Sequence, residues 1–287
     1  MKFSQRAVAA VVLGGFFLVI SCSRHESQPV YDGRPLKEWC KDFYDYQPAG
    51  VRSNAKQAIC QIGTNSLPFL MGEMRTLGKV WKQMGATNFN SSDELTERLL
   101  NLRKAFGALG PIAKPAVPEL ICLLNSPTNG ANGAAAYALT QIDSQVAVTA
   151  LTQALTNEFM GARLSAANAL YEVRSNADMA VPNLIQCLKD KSSGKESSSM
   201  LRSLSAAALG FIGKEPKKAM PALIEALRED EETGVRIYAA HSLAEFGTNA
   251  QWVVPILMET STNDSNRNVR LAATNALRML GVPFPQN

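Results

Sequence analysis

The sequence predicts an all-α fold: a right-handed α-α superhelix, a solenoid of about seven helix pairs. Three observations predict it. One thirteen-residue pattern recurs along the chain, the apolar residues inside each copy fall at helical spacing, and glycine and proline mark most boundaries between the helices.

The clearest copies are Val51–Gly63, Val235–Gly247 and Val269–Gly281, each opening Val-Arg and closing on glycine. Weaker copies end at Gly110, Asp143, Arg174 and Gly213, so seven copies follow one another at spacings of 31 to 47 residues. Counting back from the terminal residue, apolar side chains stand one, four, five and eight places earlier; in the last copy these are Leu280, Leu277, Ala276 and Ala273. That is the period of an amphipathic helix and not of a strand. The place five back holds Ala58, Ala105, Ala138, Ala169, Ala208, Ser242 and Ala276. A small residue in every copy predicts that neighbouring helices approach closely there. The closing glycine supplies the left-handed residue that stops a helix.

A second helix follows each copy. Pro118, Pro182, Pro221 and Pro255 stand eight residues after a terminal position, and Pro68 stands five after Gly63. Each opens an apolar stretch, and proline suits a first helical turn because its missing N–H would be unpaired there anyway. Pro35 opens the matching helix before the first copy. The pairs therefore span residues 35 to 281. No pair of short helices buries its apolar face alone, so stacked pairs share one core. Two stretches break the period: 76–101, with Trp81, Met84 and Phe89, and 189–199, rich in Lys and Ser. Insertions of this kind map to surface loops.

The pattern Pro-x-Leu-Ile-x-x-Leu, an acidic turn, then Val-Arg-x-x-Ala-x-x-Ala-Leu-x-x-Leu-Gly resembles HEAT repeats. It is especially similar to the short bacterial kind grouped with phycobilin-lyase HEAT-like repeats, and the resemblance covers almost all of the chain from residue 35. Arg52, Arg163, Arg202, Arg236 and Arg270 occupy one column, with Asp230 and Asp264 six residues before their arginines and Asn157 six before Arg163. The resemblance implies that these side chains form a ladder along the stack. Physical argument agrees, since aspartate suits a helix start and an arginine fork bridges carboxylates of neighbouring turns; the expected role is structural. The resemblance also implies that the second helix of each pair lines the concave side. There the columns six and three places before the terminal residue vary in type, so packing is not expected to dictate them. Tyr137, Asn168, Tyr171, His241 and Arg278 fall in these columns and form the candidate binding ridge.

The N-terminus reads as an export signal over 1–21, a tether over 22–34, and the solenoid over 35–287. Lys2 and Arg6 precede an uncharged run from Ala7 to Ile20. This run is short of the ~20 residues a spanning helix needs. Val19-Ile20-Ser21-Cys22 resembles the bacterial lipobox, which implies that Cys22 is diacylated and becomes the mature N-terminus, holding the chain to a membrane. Ordinary signal cleavage, giving a soluble periplasmic or secreted protein, is the alternative.

Composition narrows the function. The chain has 287 residues, 46% of them hydrophobic, enough for a large core. A formal charge of +4, falling to +2 without Lys2 and Arg6, gives no basic footprint for nucleic acid. His25 and His241 are the two histidines and no C-x-x-C pair exists, so neither a metal site nor a catalytic triad is expected. Cys40, Cys60, Cys122 and Cys187 remain after Cys22; most read as small buried hydrophobes, with disulfide pairing left open. No catalytic residue, metal or cofactor is expected. The expected function is a non-enzymatic protein-binding scaffold or adaptor of the bacterial cell envelope. A chromophore-lyase-like or other enzyme-accessory role, and a peptide- or carbohydrate-binding module, are the alternatives.

Overall fold

The structure is a computed structural model that describes residues 28–43, 46–84, 92–127, 129–173, 176–191 and 195–282. The export segment 1–21, Cys22, His25, Phe89 and Arg174 lie outside the described residues, as do the side chains of Trp81, Met84 and Lys195.

Each copy of the pattern forms one helix: α2 (Ala49–Ile62), α4 (Ser92–Leu109), α6 (Asn129–Ile142), α8 (Met160–Val173), α10 (Lys195–Ile212), α12 (Thr233–Glu245) and α14 (Arg267–Met279). The partner helix of each pair precedes it: α1 (Leu36–Lys41), α3 (Leu67–Met84), α5 (Val117–Leu124), α7 (Ser144–Ala154), α9 (Val181–Lys189), α11 (Pro216–Glu229) and α13 (Val254–Asn263). The even-numbered helices pack in series, α2 on α4 and so on to α12 on α14, with the odd-numbered helices set against them. The fold is an all-α solenoid.

The small-residue column lies at these contacts. Ala58, Ala105, Ala138, Ala169, Ala208, Ser242 and Ala276 are all buried, and the Ser242 hydroxyl of α12 donates to the Ala206 carbonyl of α10 at 2.8 Å. Gly63, Gly110, Gly213, Gly247 and Gly281 close their helices with φ between +52 and +74°. At the third copy the terminal residue is aspartate, and the chain turns differently. Asp143 has φ −157° and caps the next helix, accepting from the backbone N–H of Gln145 and Val146 at 3.1 and 3.2 Å.

The partner helices begin largely as the prolines predict. Pro118, Pro182 and Pro255 occupy the first turn of α5, α9 and α13, and Pro68 is the second residue of α3. Pro221 departs from the expectation. α11 starts at Pro216, so Pro216 takes the first-turn place and Pro221 sits inside the helix. Its ring faces solvent, where water can satisfy the carbonyl that loses a donor.

The N-terminal end of the core is covered by more than a helix. Val30–Tyr31 (β1) pairs antiparallel with Arg34–Pro35 (β2), across the boundary between the stretches assigned to the tether and the solenoid. Asp32 and Gly33 both have positive φ, as a two-residue hairpin turn of this type requires. The Trp39 ring donates to the Tyr31 carbonyl at 3.2 Å, and Arg34 lies over that ring at 4.5 Å while pairing with Asp42. The hairpin thus gives the first pair the polar cover that a terminal repeat needs.

Candidate functional site

Two sets of side chains were expected to matter, a ladder at the turns and a ridge on the even-numbered helices. The ladder is a chain of ion pairs between successive repeats. Arg163 pairs with Asp190 at 2.5 Å, Arg202 with Asp230 at 2.7 Å, and Arg236 with Asp264 at 3.0 Å. The last two are two-pronged, with second bonds of 3.0 and 3.2 Å. Arg236 and Arg270 also tie their own turns. Arg236 donates to the Asp230 carbonyl at 2.9 Å and Arg270 to the Asp264 carbonyl at 2.7 Å. The Asp230 and Asp264 side chains meanwhile accept a backbone N–H two residues on, from Glu232 and Asn266. The Arg202–Asp230 pair is almost fully buried, the two side chains exposing 2% and 3%. The Asp230 carboxylate, through its hydrogen bond and its charge, raises the Arg202 guanidinium above its ordinary value.

Sequence reading missed two members. Asp190 stands at the start of the 189–199 insertion, which displaced it from its column. Asn132 takes the arginine's place in the third copy. It is fully buried and donates to the carbonyls of Leu123, Leu124 and Ser126 at 2.7 to 3.0 Å. Asn157 continues the line upstream, donating to the Asn125 side chain at 2.9 Å. The ladder therefore changes from amide to ionic along the stack. Its carboxylates and most of its donors are engaged with each other and with turn backbone, which fits the structural role.

The ridge residues share one side of the even-numbered helices, but they are not equally available. Arg103 of α4 lies over the Tyr137 ring at 4.0 Å and reaches Glu172 of α8 at 3.6 Å, so one arginine links three helices. Tyr171 meets Phe211 of α10 edge-on, ring centroids 4.5 Å apart. Both tyrosines are half-buried in these contacts. Asn168 and Arg278 are exposed, with Arg278 donating to Asn275 at 3.2 Å, and His241 is half-buried.

The expectation that packing does not dictate these columns fails at α10 and α12. Ala207, Gly210 and Ala244 occupy the same columns and are buried. A Cβ built on Gly210 would lie 2.6 Å from the Ser242 Cα, so only glycine permits this approach. Small residues there are a packing requirement and not a freely varying surface.

What stands out on this side instead is apolar. Met200, Tyr238, Leu271 and Met279 are each about half exposed, at 56, 47, 55 and 55%, on the three successive helices α10, α12 and α14. They stand thirteen, nine, ten and two places before their terminal residues, within about a third of the helix circumference around the ridge columns. The signal was present in the sequence. The column two before the end holds Gln61, Ala108, Gln141, Glu172, Phe211, Glu245 and Met279, so large apolar residues enter it only at α10 and α14. Among the described residues no group of three or more His, Cys, Asp or Glu side chains is placed to hold a metal ion, and the described cysteines Cys40, Cys60, Cys122 and Cys187 are free thiols.

Comparison with protein families agrees with this architecture. A profile of HEAT repeats matches residues 194–278, from α10 through most of α14. No curated protein matches the chain. The solved structures similar to it include these two. One is an engineered protein solved by the Northeast Structural Genomics Consortium, at 21% identity and a TM-score of 0.45, covering 72% of this chain and 96% of that one. The other is human deoxyhypusine hydroxylase in complex with glycerol, at 17% identity and a TM-score of 0.28, covering 86% of this chain and 96% of that one.

Proposed function

We propose that this chain is a non-enzymatic scaffold of the bacterial cell envelope, exported, anchored through lipidated Cys22, and binding a protein partner on the even-numbered helix side of α10, α12 and α14. The observation that carries the partner reading is the row Met200, Tyr238, Leu271 and Met279, exposed beside His241 and Arg278. Large apolar side chains gathered on one face and edged by polar ones mark interaction surfaces. Tyrosine and arginine are frequent energetic anchors in them. The HEAT repeats over 194–278 coincide with this face, and repeats of this kind commonly serve protein binding. The anchor rests on Val19-Ile20-Ser21-Cys22 at the end of the apolar run.

The test is capture of partners from native envelopes with the intact chain and with a Tyr238→Ser, Leu271→Ser variant. A specific partner should be lost from the variant while the thermal midpoint stays within the range of ordinary surface substitutions, about 0.5 kcal/mol. A partner retained at full strength refutes the face. Separately, Cys22→Ala should move the protein out of the membrane fraction and block maturation. A native chain that is soluble and begins elsewhere refutes the anchor. One acyl chain holds only weakly, so stable membrane association requires the several chains of a mature lipoprotein.

A further inference from the structure

The chain passes from each even-numbered helix to the next odd-numbered one by turns that lie along one edge of the solenoid. Three of these turns hold a large exposed apolar side chain: Ile112 after α4, Met179 after α8 and Trp252 after α12, the last exposing 57% of its surface. α1 starts on the same edge, and Val30, paired with Pro35 just ahead of that start, is 61% exposed. In the turns of the opposite edge, Tyr46 is the one exposed large apolar side chain among the described residues. Of the charges in the first set of turns, Lys114 pairs with Asp143 and Lys218 with Glu215, which leaves exposed Lys214 and Lys217 against Asp178. The N-terminal segment leaves the solenoid at this edge too. The Pro29 carbonyl accepts from the Leu36 N–H at 2.8 Å and the Gln28 side chain from the Lys37 N–H at 3.3 Å, so both residues are fixed at the first turn of α1. Cys22 stands six residues before Gln28. Those six residues span at most about 20 Å of extended backbone.

We propose that this edge lies on a membrane surface, with Val30, Ile112, Met179 and Trp252 at headgroup depth and Lys214 and Lys217 beside anionic headgroups. The orientation rests on the lipid anchor at Cys22, which brings a bilayer within about 20 Å of the edge at α1. Seven pairs at roughly 8–10 Å per helix layer extend about 50–60 Å from there, and the exposed apolar side chains recur over that length at the second, fourth and sixth pairs. A tryptophan suits such a depth, because its ring is apolar while its N–H takes a polar partner. Lysines near an anionic surface add to the attraction, and they act with the acyl chains. The partner face stays open in this pose. Met200, Tyr238 and Leu271 lie within their helices, away from these turns.

The test uses the mature chain from its native membrane, reconstituted into vesicles of phosphatidylcholine and phosphatidylglycerol with or without brominated acyl chains. Subtracting the emission of a Trp252→Phe chain isolates Trp252 from Trp39 and Trp81. Trp252 emission should shift to the blue in vesicles and be quenched by the brominated lipid. Lys214 and Lys217 should acetylate more slowly in vesicles than in detergent micelles, with exposed Lys191 on the opposite edge unchanged as the reference. Lys214→Gln with Lys217→Gln should lower the ratio of docked to undocked chain about tenfold in the anionic vesicles and leave it unchanged in phosphatidylcholine alone. Trp252 emission indifferent to bromine, or equal protection of Lys191, overturns the proposal. Protection of Trp252 that appears only when other envelope proteins are added also overturns it and gives the edge to a protein. The intact mass decides the anchor separately. A native chain without acyl groups refutes the anchor, and the same quenching measurement on that chain added to the vesicles then decides the edge.

Discussion

Replacing Gly210 by alanine tests the tightest contact in the solenoid, and two opposed effects set its outcome. In the middle of a helix, alanine is favoured over glycine by roughly 0.5–1 kcal/mol, and Gly210, in the last turn of α10, stands to gain at most that. Against this, the new Cβ would lie 2.5 Å from the Ser242 Cβ and 2.6 Å from both its Cα and its Oγ. Ordinary carbon–carbon contacts sit near 3.5–4.0 Å, so α10 and α12 must part by about 1 Å. One of the blocking atoms belongs to the backbone, so no rotamer change relieves it. Overpacking of this kind costs about 1–3 kcal/mol, which outweighs the helical gain. Gly210→Ala should therefore destabilise the protein by roughly 0.5–2 kcal/mol, read as a lower urea midpoint. Gly133→Ala is the matched control. Its Cβ would meet only the Ser165 hydroxyl, at 3.8 Å, so the helical gain stands alone and the midpoint should rise. Two glycine-to-alanine changes in equivalent helices should thus have opposite signs. If Gly210→Ala is as stable as Gly133→Ala, α10 and α12 are not held at this distance and the packing argument fails.

Three further outcomes follow from the same geometry. In the ladder, Arg202→Met should cost about 3–5 kcal/mol because it strands a buried Asp230, whereas Arg228→Ala, whose pair with Glu259 is half exposed, should cost less than about 1 kcal/mol; equal losses in urea titrations would refute the ranking. Cys122 is exposed, while burial pushes the Cys40 and Cys187 thiols up to about 12 and about 11, so iodoacetamide at about pH 8 should label Cys122 first and reach the other two only on unfolding, as peptide mass spectrometry would record. Asp143 is held below the ordinary carboxylate range by the Val146 N–H and then by Lys114, so its charge stabilises the fold above that range and the benefit is lost as pH falls through the lowered value; the stability gap between the natural chain and Asp143→Asn should close in acid, and a gap unchanged from neutral pH to about pH 2 would refute it.

Much of the fold was legible because a solenoid writes its packing into columns. The small residue five places before each terminus became a buried helix contact in all seven copies, and the closing glycines took the left-handed conformation that only their backbone adopts cheaply. What the columns hid had specific causes. Asp190 performs the work of Asp230 and Asp264, but the insertion beside it shifts its offset, so counting from the terminal residue passes it by. Asn132 does the tying work of an arginine with a shorter side chain, reaching turn carbonyls but no carboxylate in the next repeat, and a column defined by charge does not show it.

The functional side was harder to read for a reason that the two ends of the even-numbered stack make concrete. Variation down a column looks like freedom from packing, yet Gly210 differs from Tyr171 and Arg278 because α10 and α12 lie too close there for anything larger. Variation therefore reports changing distance between helices as well as changing surface. Tyr137 and Tyr171 illustrate the converse. Where neighbouring helices offer Arg103 and Phe211, a large side chain in the same columns is drawn into a contact within the stack. A side chain is free for a partner only where the next helix supplies no such neighbour, and Met200, Tyr238, Leu271 and Met279 expose about half their surface on that ground. Exposure of large apolar groups, not variability, is what singles out the face of α10, α12 and α14.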